Sequence, residues 1–233
     1  MRRWDFTQNL FSRTMRKQLK TRTMTDLLTA LEWRYATKSF NSSVRLTDLQ
    51  IDVLKKAVQL SVSSFGLQPY KVFIIDSLEV KSAIMEAAYG QKQIGEASHV
   101  FVFAHQRQYQ SKEVEELIVK LAENQGRKVE ELQSYQQSID SWMGAMSDEK
   151  LETWMSSQVH IAMNNLLLAA ATLGIDSCPM GGFDTERVDD ILGLKSEGLK
   201  SCLIVPVGVR NDKDIYANYP KTRKSISELF EVR

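Results

Sequence analysis

Four cationic side chains, Arg34, Lys38, Lys221 and Arg223, fall in two polar stretches far apart in the chain, R-Y-A-T-K-S-F at 34–40 and Y-P-K-T-R-K at 219–224. Cations delivered by separate ordered loops are what a buried phosphate requires, and arginine adds a planar fork that bonds two oxygens at once. Neutral donors and acceptors cluster elsewhere. Ser63, Ser64 and Gln68, within S-V-S-S-F-G-L-Q-P-Y at 61–70, offer hydroxyls and an amide to a polyol or to a heterocycle edge. Pro69 is expected to hold Gln68 extended and so to fix where its amide points. Gly181-Gly182 lets a backbone come close to a flat ligand and aim an N–H at it. Taken singly, each pattern is also that of a solvated loop or a plain turn.

Other chemistries find less support. No GxGxxG follows a strand and no GxxxxGK[ST] is present, so neither nucleotide-loop signature exists. Serine hydrolase chemistry lacks a nucleophile elbow, and Asp189-Asp190 and Glu115-Glu116 read as solvated faces of charged helices. Cys178 and Cys202 form no disulfide framework, and no Cys/His spacing resembles a zinc site. A reducing, cytoplasmic compartment is expected. His99 and His105 bracket the apolar run Val100–Ala104, which points to packing or surface roles at strand ends.

The elements that must position these groups follow from local pattern. Thr25 caps a helix running to about Trp33, and the Thr47–Gln50 capping box opens a second one. Lys71–Asp76, Val100–Ala104 and Cys202–Val207 read as buried strands, with Pro206 placing the last strand's end at an edge or terminus. Ser77 caps a helix over 78–88, and Tyr89–Ser98 is a connection. Residues 111–144 form a charged helical excursion split at Gly126. Ser147–Leu173 is the longest helix; its Ile161–Leu173 half is apolar on nearly all sides, which implies a central helix or one packed on a partner. Gly174 ends it, and Asp184 caps the helix that follows. Few strands separated by many helices make an α+β fold, one sheet inside a helical shell.

The chain has 233 residues, 43% hydrophobic and 25% charged, which are globular values. No apolar run reaches the roughly 18 residues of a membrane span. The net charge of +1 hides an asymmetry: residues 1–23 hold seven basic residues against Asp5, or +6, leaving −5 for the remainder. An acidic body excludes a general nucleic-acid binder. The basic head is expected outside the fold of 24–233. Its composition is that of a transit peptide, and Met15 and Met24 offer alternative starts.

In their order, R-Y-A-T-K-S-F at 34–40, S-V-S-S-F-G-L-Q-P-Y at 61–70, G-Q-K-Q-I-G-E-A-S-H-V-F-V-F at 90–103, P-M-G-G-F-D at 179–184 and P-V-G…Y-P-K-T-R at 206–223 are specific. From about Thr25 onward the chain resembles the FMN-dependent nitroreductase family, in its oxygen-insensitive NAD(P)H nitroreductase and flavin reductase branch. The resemblance implies a mostly antiparallel central sheet and an intertwined homodimer with two FMN at the interface. It implies reduction of nitroaromatics, quinones or free flavins by NADH or NADPH in ping-pong fashion. It gives the phosphate to Arg34, Lys221 and Arg223, the flavin ring to Lys38, and the opposite subunit's flavin to Ser63 and Ser64. Gln68 falls on the ribityl side, and Gly181 and Gly182, after Met180, present N–H groups to flavin N5.

Several positions depart from the commonest family form. Tyr35 and Ala36 replace a frequent His-Ser, Val62 a Pro, Gly66 an Asn and Gly181 a Glu. Gly90 and Gln93 fall where Asn and Lys are common, with Gln91 close by. Trp142 and Met143, from position in the excursion, are expected to wall the substrate side. The rival expectations are a family member with a narrow task, such as dehalogenation or pteridine reduction, and a flavin-free dimeric binding protein.

Overall fold

The computed structural model describes residues 27–233, so the basic head and the cap at Thr25 lie outside the described residues. Local chemistry sets most boundaries. Helix α1 covers Leu27–Trp33, and α2 covers Asp48–Gln59 behind the complete Thr47/Gln50 capping box. Strand β1 is Tyr70–Ile75. Helix α3, Leu78–Ala87, is capped by the Ser77 hydroxyl, which accepts from Val80 N. The connection after it contains a short helix, α4, Gln93–Glu96. Strand β2 is His99–Gln106, longer at both ends than the apolar run.

The excursion forms α5, Ser111–Gln125, and α6, Gln133–Gly144. Gly126 splits them in a left-handed conformation at φ 63°, which favours glycine. Helix α7 is Asp148–Thr172, β3 is Asp176–Ser177, and α8 is Thr185–Leu192 behind the Asp184 cap. Strand β4, Leu199–Gly208, and the short α9, Ile226–Leu229, complete the described chain. The sheet runs β1-β2-β4-β3 with every pairing antiparallel. The α+β expectation holds.

Alternation along the strands builds two cores. Phe101, Phe103, Leu203, Val205 and Val207 face α2 and α7, meeting Leu54, Val58, Val159, Leu166 and Ala170. Val100, Val102 and Ile204 face the other way, against Ile84 of α3, Val188 of α8 and Ile94. A third cluster joins Val114, Ile118, Ile139 and Met143 of the excursion to Leu151 and Met155 of α7.

Two expectations need correction. Met143 is 1% exposed inside that third cluster, so it packs the excursion and walls no pocket. Asp189 is fully buried and paired with Arg107, not on a solvated face. Helix α7 packs on the sheet through Val159, Ala162, Leu166 and Ala170, while Ile161 and Asn164 are exposed in the single chain, so the alternative of a partner-covered face stays open. Strand β4 is internal to the sheet, its outer neighbour β3 covers only two residues, and Pro206 stands near the strand's end as expected. Pro206 fits there because it lies near the strand end, where its carbonyl accepts from Cys178 N at 3.1 Å. At Gly208 a Cβ would come 3.1 Å from both Phe40 Cδ1 and Ser98 N, so only glycine fits without displacement.

Candidate functional site

The Arg34–Phe40 stretch is neither helix nor strand because other segments take its backbone bonds. Thr37 N donates to Ser177 O at 3.2 Å, and Asn41 N to Val209 O at 2.8 Å. The Glu96 carboxylate accepts from Phe40 N at 2.9 Å and from the Ser39 hydroxyl at 3.1 Å. The Asp214 carboxylate, 3% exposed, accepts from Lys38 N at 2.8 Å, Ser39 N at 3.2 Å and the Tyr35 hydroxyl at 2.9 Å. Burial alone would raise the pKa of Asp214; these bonds outweigh it and hold it below the usual carboxylate range. Tyr35 moves the other way, to about 12, through burial and its bond to that carboxylate.

This loop brings three cations together. Arg34, Lys221 and Arg223 form no ion pair among the described residues. Burial, and then the neighbouring Arg223, lower the Arg34 pKa; burial, Arg34 and Arg223 do the same to Lys221. Arg34 Nε is buried without a hydrogen-bond partner. A cluster of like charges with an orphaned donor is matched by an anion with several oxygens. Ala36, with only a methyl side chain, supplies no hydroxyl to it, and its backbone is bridged to Ser177.

Next to the cations lies a neutral shelf. The Lys38 ammonium reaches Cys178 Sγ at 3.9 Å, and Gln93, 6% exposed, also bonds that thiol. Gln93 Nε2 donates to Gln91 Oε1 at 3.3 Å, and Gln91 Nε2 to Gly182 O at 2.9 Å. Met180 exchanges both backbone bonds with Ile204 at 2.9 Å while its side chain is buried, so it offers the shelf backbone only. A Cβ on Gly182 would meet nothing within 4 Å, and one on Gly181 only Leu203 at 3.8 Å. The pair presents bare backbone to open space.

The 61–70 loop is not part of this cluster. It enters β1 at Tyr70, opposite His105, whereas Cys178 bonds Pro206, opposite Val100. Those ends of β2 are about 17 Å apart at about 3.4 Å per residue. Ser63 Oγ accepts from Gln68 N at 3.0 Å, and Ser64 N donates to Gln158 Oε1 at 2.9 Å. Gln68 is not extended as Pro69 led us to expect: its φ is 48°, and its amide turns back to Gln59 O at 3.0 Å. Gly66 (φ 74°) and Phe65 (φ 59°) are also left-handed, and Val62 is 73% exposed. Trp142, 43% exposed, stands edge-on to Phe65 at 5.3 Å and to Trp154 at 5.6 Å, tying the excursion to this loop.

The sequence model described as the nitroreductase family matches residues 31–209. The chain belongs to the nitroreductase family. The oxygen-insensitive NAD(P)H nitroreductase of Salmonella typhimurium is 30% identical over 216 residues, covering 85% of this chain and 95% of that one. The Bacillus subtilis nitroreductase-fold protein YdfN superposes with a TM-score of 0.80 at 22% identity, over 91% of this chain and all of the other. A protein of Exiguobacterium sibiricum, solved in complex with FMN, gives 0.77 at 20% identity, over 91% and 99% of the two chains. Several groups of this candidate site escaped sequence reasoning. Asp214 is a single acid outside the quoted motifs, and Glu96 stood inside the 90–103 stretch with nothing local to mark its bonds to Ser39 and Phe40. Cys178 stood inside D-S-C-P-M-G-G but was weighed only as a thiol without a disulfide partner.

Proposed function

We propose that this nitroreductase-family chain is an FMN-dependent oxidoreductase that uses NADH or NADPH to reduce nitroaromatics, quinones or free flavins. The observation that carries the reading is the set Arg34, Lys221 and Arg223, without an ion pair among the described residues and with Arg34 Nε unpartnered, together with the open Gly181–Gly182 shelf. Arg34 and Arg223 supply the guanidinium donors for the FMN phosphate, and Lys221 adds charge. The Lys38 ammonium, the Gln93 and Gln91 amides and the backbone N–H groups of Gly181 and Gly182 face the ring. When bound, FMN supplies the hydride chemistry; the chain orients it and holds negative charge with these donors. No side chain need serve as nucleophile or general base.

Assembly completes the site in this reading. Ser63, Ser64 and Gln68 lie too far from the Arg34 cluster to serve the same ligand, so they serve the flavin of a second copy in a homodimer. Two surfaces favour that assembly. Among the described residues the outer edge of β1 has no neighbour in the sheet, and the segment from Ile215 onward exposes Ile226, Leu229, Phe230 and Val232. Phe65 and Trp142 then line the substrate side. No described helix is long and apolar enough to cross a membrane, and we place the protein in the cytoplasm.

One flavin face serving two substrates requires them to take turns. Purified protein should be yellow, bleach with NADH or NADPH alone, and regain colour on adding a quinone or nitroaromatic. Double-reciprocal plots should be parallel. Intersecting lines would point to a second pocket, and failure to bleach with either nicotinamide would remove the oxidoreductase reading.

A further inference from the structure

The helical excursion leaves the sheet at the end of β2, and that joint holds two buried acceptors with no hydrogen between them. Gln106 closes β2; its backbone N–H donates to Pro69 O at 3.3 Å, and it lies opposite Leu199 of β4. Its side chain turns to α5, where Gln106 Nε2 donates to Glu113 Oε1. The remaining oxygen of each group, Gln106 Oε1 and Glu113 Oε2, is buried without a hydrogen-bond partner among the described residues. Two acceptors cannot satisfy each other, and a buried oxygen left bare is costly. A planar amide and a planar carboxylic acid make a closed pair instead: N–H to one oxygen, O–H back to the other. One proton on Glu113 Oε2 serves both orphaned atoms. Turning the amide over gives no alternative, since one oxygen still meets another.

The surroundings of Glu113 favour that proton. Burial pushes its pKa up, the Gln106 bond pulls it back, and Glu116 on the same helix adds to the rise. The positive end of α5 favours the ionised form, but no cation pairs with Glu113 among the described residues. Arg107, next to Gln106, is committed to Leu199 O and Asp189. Helix α6 brings Asp140, whose carboxylate takes the Tyr109 hydroxyl, and Tyr109 stays neutral with its pKa pushed up to about 12. Helix α7 meets the excursion with the apolar Leu151 and Met155.

We propose that Gln106 and Glu113 form a proton-operated latch, an acid–amide pair that holds the excursion to the end of β2 and loosens when the proton on Glu113 Oε2 leaves. The same strand end receives the 61–70 loop through Pro69 O, so the latch joins the excursion to that loop. It does not depend on the flavin reading. The folded chain keeps this proton to higher pH than the unfolded chain, where glutamate titrates near about 4.3. The stability owed to the latch is therefore complete below that value and lost as the pH rises through the folded value.

Carbon NMR of the Glu113 carboxyl, assigned by its loss in Glu113→Gln, should show titration above the ordinary glutamate value of about 4.3. Hydrogen-exchange protection of the α5 amides, corrected for intrinsic base catalysis, should fall about tenfold per pH unit between that value and the folded one, then level off. Glu113→Gln keeps a closed pair, amide to amide, at every pH. Its protection should not vary with pH, and should exceed that of wild type at about pH 8. In a Gln106→Met background this advantage should vanish. A Glu113 pKa at or below the ordinary value would overturn the latch, as would lower protection in Glu113→Gln at about pH 8. An advantage that survives Gln106→Met would come from relief of repulsion with Glu116, and would overturn it too.

Discussion

The Lys38 ammonium lies 3.9 Å from the thiol of Cys178, with no carboxylate ion-paired to it among the described residues. Burial raises the thiol's pKa, against the pull of Lys38, so it stays neutral and leaves the cation available. Cys178→Asp should place a competing charge there and weaken FMN about tenfold, or about 1.4 kcal/mol. Cys178→Ser should stay within about threefold. Fluorescence titration of the apo-proteins checks both.

Arg223 lies in an exposed stretch, and among the described residues its guanidinium bonds the carbonyl of Thr222 at 2.6 Å. Arg223→Ala should leave the fold intact and lose one charge-assisted bond to phosphate, about 1.5–3 kcal/mol. Riboflavin affinity should not change. If FMN affinity also stays constant, the tail does not reach the phosphate.

If a second copy covers Ile161, the β1 edge and the apolar tail, a folded monomer should not persist at ordinary concentrations. Sedimentation equilibrium should show a dimer across the micromolar range. A stable monomer retaining FMN would remove the second-copy role of Ser63 and Ser64.

His105 is 3% exposed, and burial lowers its pKa, as it does that of His99. In the unfolded chain both titrate near about 6.5. Between the depressed folded values and that figure the unfolded state binds more protons. The stability owed to neutral imidazoles is therefore complete above about pH 6.5 and lost as the pH falls below it. Melting temperatures should drop through that window, and His105→Gln should flatten the slope relative to wild type.

Asp189 is wholly buried, accepting from Arg107 at 2.5 Å and from Ser201 N at 2.8 Å. Asp189→Ala leaves a guanidinium and a strand N–H without partners, so a loss of about 3 kcal/mol is expected in urea unfolding. Stability within about 0.5 kcal/mol of wild type would mean water replaces the carboxylate.

What could be read without coordinates was what short-range chemistry decides. The Thr47–Gln50 box, the Ser77 and Asp184 caps and the left-handed Gly126 each act within a few residues, and each appears where its pattern stood. Partnerships across long separations were invisible: Asp214 with Lys38 spans 176 positions and Arg107 with Asp189 spans 82. A paired acid and a solvated acid look alike until the chain folds. Trp142 and Met143 illustrate a finer limit. Neighbours on a helix point about 100° apart, so one faces solvent while the next faces the core. Gln68 failed differently, because its loop gave its amide backbone carbonyls to satisfy, and those outweighed the preference set by Pro69.

At Gly208 the end of β4 touches the site loop through Phe40 and the approach to β2 through Ser98, with no room for a side chain between them. Every substitution there shifts two elements at once, so the position has no harmless neighbours in sequence space. The excursion carries no such lock, since its buried residues pack mainly on each other and on the first half of α7. A larger residue at Gly208 would therefore disturb the loop that carries Arg34 and Lys38, whereas a change in the excursion would be absorbed at the helical end.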